Sequence, residues 1–175
     1  MKKLFLSLFA LILISSLSIF SQTLQERAQS LKRPGDCGVP DYDAFKNSSF
    51  TLKDDILKTD KNYSQVTNNV ARYKSGERAV TVDSVKSDIN KVKSMKTSLK
   101  TFDDKLVSLT EKGKELMNNV TKVKPVTKIK PATSNTKDSV KAVDISKELL
   151  KTLSGKVDAD LTTLNGLLTK AGGKE

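Results

Sequence analysis

The sequence has no histidine and no tryptophan, it has a single cysteine, and aromatic residues make up only 5% of its 175 residues. Histidine is the commonest general base and metal ligand in proteins, so its absence argues against most hydrolytic and metal-dependent mechanisms. One cysteine, Cys37, can form neither a disulfide within the chain nor a zinc cluster. These absences predict a protein that is not an enzyme and that binds no metal and no cofactor.

Carboxylates and lysines remain as candidates for catalysis, but their spacing does not favour a site. Asp54 and Asp55 are adjacent on a predicted helix, as are Asp103 and Asp104, so the side chains of each pair diverge by about 100°. A serine activated by lysine would need a desolvated lysine of lowered pKa. A narrow helical seam offers no pocket for such a group, and the chain has no glycine-rich phosphate loop.

The first 21 residues have the pattern of a secretory signal peptide. Lys2 and Lys3 precede an apolar run over residues 4–20, and Ser21 offers a cleavage point. The alternative is an uncleaved anchor helix, for which this run is short. We therefore expect an exported protein, in the periplasm or outside the cell. In such an oxidising compartment the lone Cys37 could join two chains by an intermolecular disulfide.

Beyond a stretch rich in proline and glycine, the sequence has helical periodicity to its end. We expect residues 22–50 to be irregular, apart from one short helix and a Pro/Gly turn, and residues 51–175 to form a helical bundle. The first long helix is predicted from about Leu52 to Tyr73. Thr51 is the expected N-cap, and Gly76 is the expected stop signal.

The strongest pattern lies between Glu77 and Lys122, where apolar residues recur about every 3.4 residues, close to the coiled-coil value of 3.5. A further helix is predicted from about Thr136 to Lys170, with Asn135 as its cap. Amphipathic helices with short connections favour antiparallel packing. The sequence therefore predicts an all-α fold, an elongated antiparallel coiled-coil-like bundle of about three helices.

A short repeat separates the last two predicted helices: V-T-K-V-K-P over residues 120–125 is followed by V-T-K-I-K-P over residues 126–131. Its prolines exclude a helix interior, so we expect an exposed basic loop at 121–135. The loop is either a solvated linker or a segment that docks on an anionic surface. A heptad stripe of lysines precedes it, for which a solvated face is the simpler interpretation. The candidate anion-binding residues are Lys86, Lys93, Lys100, Lys122, Lys124, Lys128 and Lys130.

The chain carries 31 basic and 20 acidic residues, a formal net charge of +11. Nucleic acid is not an expected partner, because the chain is predicted to be exported and has few aromatic residues for base stacking. We expect a non-enzymatic protein that acts by binding or scaffolding. Its partner would be a protein or an anionic envelope surface: lipid head groups, a cell-wall polymer or a glycan. Self-association into a homo-oligomer through spare apolar seam is also open.

Two alternatives remain. In being small, basic, exported and helical, the chain is similar in composition to the Skp-type chaperones, which implies a periplasmic holdase. It shares no motif with that family, so the likeness transfers no residues. The other alternative is a secreted adhesin or membrane-surface binder whose lysines meet anionic lipid or glycan.

Overall fold

The computed structural model describes residues 24–173, which form four helices and no strand. Helix α1 comprises residues 24–30, α2 Pro40–Ser75, α3 Val82–Asn119 and α4 Ile129–Lys170; two 3-10 turns, Val120–Lys122 and Val126–Lys128, join α3 to α4. The all-α prediction is confirmed, with four helices instead of about three. The predicted signal peptide, residues 1–21, lies outside the described residues.

The three long helices run antiparallel in chain order and form an elongated bundle in which α4 packs against both α2 and α3. Helix α3 has 38 residues and α4 has 42, so they are about 57 and 63 Å long. Within residues 24–173, no helix combines the length with the apolar character that crossing a bilayer requires.

The predicted apolar seams form the core of the bundle. Their residues are spaced by three or four, so they share one face of each helix and are removed from water together. On α3, three seam residues at heptad spacing, Met95, Phe102 and Leu109, stay partly exposed at the edge of the core. The buried seam residues include Ile56, Tyr63 and Val70 on α2, Val85, Val92, Leu99 and Leu106 on α3, and Leu149, Leu153, Val157 and Leu164 on α4.

Helix α2 begins at Pro40, well before the predicted start near Leu52, so the expectation that 22–50 is irregular is wrong for its last third. Proline at the first helical position has no N–H to leave unsatisfied, and its fixed φ suits a helix. Pro40 therefore opens a helix where we expected it to break one. The predicted stop is confirmed: Gly76 follows the helix with φ 79°.

The boundaries of α3 and α4 also differ from the prediction. Helix α3 begins at Val82, because Thr81 and Ser84 form a reciprocal capping box. Helix α4 begins at Ile129, which shortens the predicted loop of 121–135. Pro131 lies in its first turn, where a missing N–H costs no hydrogen bond. Asn135 is therefore a buried helix residue instead of a cap, and its side-chain amide donates to the carbonyl oxygen of Gly35.

The segment before α2, residues 24–38, is held along the groove between α2 and α4, and we call it the N-terminal strap. Two lysines of α2 anchor it with almost fully buried side chains. Lys53 donates from Nζ to the carbonyl oxygens of Ala28, at 2.9 Å, and Leu31, at 3.1 Å. Lys46 forms an ion pair with Asp36. Because these ammonium groups are buried, loss of the strap would leave Lys46 without its ion-pair partner in a desolvated position, while Lys53 would keep only Asp54 of its own helix, at 3.2 Å.

Two buried carboxylates link α2 to its neighbours. Asp88 of α3 accepts hydrogen bonds from Asn69 and Tyr73 of α2, at 3.1–3.2 Å. Asp160 of α4 accepts hydrogen bonds from Tyr63 and Thr67 of α2, at 3.0 and 3.1 Å. Asp160 is thus compensated by donors from the facing helix, whereas Asp88 also pairs with Lys91 of its own helix, at 3.0 Å, and with Arg78, at 3.9 Å.

Candidate functional site

The structure separates the predicted anion-binding lysines into two groups instead of bringing them together. Lys86 and Lys93 lie on the half of α3 that is remote from the α3–α4 connection, and Lys100 lies nearer its middle. The remaining lysines lie in the connection and at the start of α4. From Lys86 to Lys122 the separation along the helix axis is about 54 Å. One compact ligand could not contact both groups.

The sequence repeat in the connection is also a structural repeat, because each V-T-K copy forms one 3-10 turn. Lys122, Lys124 and Lys130 are exposed, whereas Lys128 is half-buried. The Nζ atom of Lys128 lies so close to Gly38 that a Cβ added there would be 2.8 Å from it. Lys128 therefore covers the turn before α2, which leaves three of the four predicted loop lysines open to solvent.

Cys37 is a free thiol that is only 4% exposed. Burial raises the pKa of the thiol, and the neighbouring Asp43 carboxylate adds to the rise. Asp43 accepts from the backbone N–H groups of Cys37 and Gly38, at 2.7 and 2.9 Å. Burial alone would raise the pKa of Asp43, but these hydrogen bonds outweigh it and the pKa lies below its usual value. The intermolecular disulfide stays a prediction, and the burial of Cys37 argues against it.

A bundle of three long helices has three grooves, and here they differ in chemistry. The groove between α2 and α4 is occupied by the N-terminal strap. The groove between α2 and α3 is lined mainly by small polar side chains, with one lysine, Lys105, and one acid, Asp55. The groove between α3 and α4 carries no strap and has an apolar floor with many lysines on its rims. We call it the α3–α4 groove, and it is the candidate site.

Three contiguous depressions make up the α3–α4 groove. The two larger ones have volumes of about 430 and 610 Å³, and Lys147 lines all three. On α3 the groove extends from Lys96 to Met117, which is about 31 Å. Its floor consists of apolar residues that are buried or half-buried, among them Leu99, Leu106, Leu109, Val140, Val143 and Leu150.

Seven lysines line the rims of this groove, against four acidic residues. Three of the lysines are paired: Lys96 with Asp158, Lys147 with Asp144, and Lys141 with an acid just outside the groove. The other four are exposed, and among the described residues they have no ion-pair partner. We call these the corner lysines: Lys100, Lys114, Lys137 and Lys151.

Sequence reasoning identified Lys100 but missed the other three corner lysines. Lys114 lies on the same exposed side of α3 as Lys100, which their spacing of fourteen residues already predicts. Lys137 and Lys151 lie on α4, and only the antiparallel packing of α4 against α3 brings them to the opposite rim. Their role in one site could not be read from the spacing of either helix alone.

The arrangement offers groups for binding: exposed ammonium groups on both rims and an apolar floor between them. Over residues 24–173, no cluster of three or more acidic or cysteine side chains is arranged to hold a metal ion. Comparison of the chain with protein-family models, curated proteins and solved structures finds no match.

Proposed function

We propose that this chain is a non-enzymatic exported protein that binds an elongated anionic partner in the α3–α4 groove. One observation carries the proposal: four exposed lysines surround a shared apolar floor and form no ion pair among the described residues. Seven lysines against four acidic residues leave an excess of positive charge, which attracts an anionic partner and orients it along the groove. The proposal of export rests on the signal-peptide pattern of residues 1–21.

The floor supports a partner that also has apolar groups. Leu109, Met117 and Val140 are half-buried in the free protein, so a ligand that covers them removes further apolar surface from water. Affinity would then come mainly from the floor, while the lysines would supply orientation and association rate. A purely polar anion would gain only the orientation and the association rate that the lysines supply.

The test compares two variants of equal net charge. One replaces the four corner lysines by glutamine. The control replaces four exposed lysines that also lack ion pairs but lie outside this groove: Lys32, Lys58, Lys61 and Lys105. Binding of fluorescent poly-glutamate, measured by anisotropy at low salt, should weaken about tenfold in the corner variant, because four exposed ion pairs contribute about 0.2–1 kcal/mol each.

The control variant should bind within about threefold of the unmodified protein, since only the overall field changes. An equal loss in both variants would show that binding depends on net charge and not on the groove. Binding by the unmodified protein that persists at high salt would contradict the electrostatic account.

A second candidate function is attachment of the loop end of the bundle to an anionic surface. It is favoured by the two repeated turns, which leave Lys122, Lys124 and Lys130 exposed together. Replacing these three by glutamine should then reduce co-sedimentation with vesicles containing phosphatidylglycerol, while the corner variant should not. The reverse pattern would assign vesicle binding to the groove.

The alternative that the protein is a holdase chaperone is tested separately. A holdase should suppress the aggregation of an unfolded client at stoichiometric ratios. A protein without that effect would not be a holdase.

A further inference from the structure

The corner lysines have a regular placement that a generic anionic patch would not need. Lys100 and Lys151 line one end of the α3–α4 groove, and Lys114 and Lys137 line the other. On each helix the two lysines are fourteen residues apart, which is two heptads and about 21 Å. Unpaired positive charge is therefore concentrated at two levels of the groove, on both rims at each level.

The stretch between these two levels has a different charge. On the α4 rim, Lys147 is paired with Asp144 at 3.7 Å. On the α3 rim, Asp103 and Glu111 lie between Lys100 and Lys114, each three residues from one of these lysines, and add negative charge. The floor along this stretch is apolar, with Leu106 buried at its centre. A partner with carboxylates in its middle would face like charge there, whereas carboxylates at its two ends would face lysines.

From this pattern we infer that the α3–α4 groove binds an acidic amphipathic α-helix of a partner protein, with carboxylates in two clusters about fourteen residues apart and apolar residues between them. The inference rests on the proposed function and specifies the partner's chemistry. A helix suits the site because the groove between two antiparallel helices accepts a third at an axis distance of about 8–10 Å. Its apolar face would cover the floor, and its flanking carboxylates would reach both rims.

Other anionic partners fit this pattern less well. A flat lipid surface would contact the rims and leave the apolar floor uncovered. A uniformly charged polymer would place carboxylates against Asp103 and Glu111. Neither would distinguish the two lysine levels from the stretch between them.

The experiment uses the full chain and three synthetic peptides of about 20 residues with one shared composition. The first peptide is an amphipathic helix with glutamates clustered at two levels two heptads apart. The second keeps the apolar periodicity but moves the glutamates to its centre. The third is scrambled so that no helical periodicity remains. Fluorescence anisotropy gives the affinities, and circular dichroism reports helix formed on binding.

We expect the first peptide to bind at least about tenfold more tightly than the other two and to gain helix on binding. The corner variant should lose this discrimination, and the control variant of equal charge should retain it. Circular dichroism of each variant alone establishes that it is folded.

The other outcomes separate this inference from the proposed function. If all three peptides bind equally and the corner variant weakens all of them equally, an anionic partner is supported and the helix with two acidic clusters is wrong. If no peptide binds but poly-glutamate or anionic vesicles do, the partner is not a helix and the inference is overturned. If no anionic probe binds at all, the proposed function fails with it.

Discussion

The hydroxyl of Tyr63 on α2 donates a hydrogen bond to Oδ2 of Asp160 on α4, 3.0 Å away, and Tyr63 is 1% exposed. Only one other described residue, Thr67, donates to the same carboxylate oxygen. Because the carboxylate is almost buried, it depends on these donors in place of water.

Replacing Tyr63 by phenylalanine should lower the free energy of unfolding by about 1.5–3 kcal/mol, the contribution expected for a hydrogen bond to a charged group. Tyr42→Phe is the matched comparison, since the Tyr42 hydroxyl donates to the neutral carbonyl of Leu116 at 2.9 Å. Tyr42→Phe should lower the free energy of unfolding by only about 0.5–1.5 kcal/mol. Urea denaturation measures both, and equal losses would contradict this ranking of the two contacts.

Stability should also fall at alkaline pH, and Tyr63 should contribute to the fall. Burial raises the pKa of its phenol, and the charge of Asp160 adds to the rise. In the unfolded chain the phenol ionises near pH 10, whereas the folded state keeps the proton. Its contribution is therefore complete below about pH 10 and is lost as the pH rises further, by up to about 1.4 kcal/mol per pH unit.

Unfolding free energies measured between pH 8 and 11 should therefore decline less steeply for Tyr63→Phe than for the unmodified protein. Deprotonation of exposed lysines affects both proteins alike, so the comparison cancels it. Parallel curves would mean that Tyr63 does not titrate differently in the two states.

Gly113 should not tolerate alanine, although it lies within α3. An added Cβ would be 2.9 Å from Cζ of Phe45 and 3.3 Å from a methyl of Val140. Repacking of this buried contact should cost about 1–3 kcal/mol and exceed the gain in helix propensity. In contrast, Gly155 and Gly166 have no neighbouring atom within 4 Å of such a Cβ, so alanine there should stabilise the protein by about 0.5–1 kcal/mol each. Thermal denaturation of the three variants shows whether each alanine raises or lowers the stability of the protein.

Lys53→Met should loosen the N-terminal strap while leaving the long helices in place. Methionine fills similar space but cannot donate to the carbonyl oxygens of Ala28 and Leu31. We expect a local loss of about 1–3 kcal/mol, seen as roughly tenfold or more faster hydrogen exchange of the strap amides. Lys58→Met, at an exposed position of the same helix, is the control. Faster exchange along α3 as well would indicate that the strap does not open independently.

Cys37 should react slowly with a maleimide in the folded protein and rapidly in denaturant, because its thiol is buried and its pKa is raised. The same burial predicts that the purified protein migrates as a monomer on a non-reducing gel. A disulfide-linked dimer that forms without denaturation would instead support the intermolecular link considered from the sequence.

The periodicity of the sequence was sufficient to predict the fold class and the buried faces of the long helices. Steps of three and four residues place residues such as Val85 and Leu106 on one face, and no tertiary information is needed to see this. The ends of the helices were harder to predict. Pro40 and Pro131 are tolerated because they lie in first turns, one residue after the cap Val39 and three residues after the cap Lys128, and the pattern does not reveal where these caps lie.

The α3–α4 groove was predictable only in part, for a related reason. Lys100 and Lys114 are visible as neighbours on one helix. Their juxtaposition with Lys151 and Lys137 depends on the axial offset between two antiparallel helices, which heptad spacing leaves open to shifts of a whole turn. The strap likewise depends on Lys46 and Lys53, whose almost complete burial no composition rule anticipates for lysine.

The buried carboxylates Asp88 and Asp160 fix this axial offset. Regular seams would allow one helix to slide by a heptad with little change in apolar contact. Sliding would take Asp88 away from Asn69 and Tyr73, so that it kept only its ion pairs, and would leave Asp160 in a nearly buried position without a donor. Since α2 supplies donors to both, it sets the heights of α3 and α4 at once. Helix α2 contributes no lysine to the groove, but it thereby sets the axial positions of the lysines on α3 relative to those on α4.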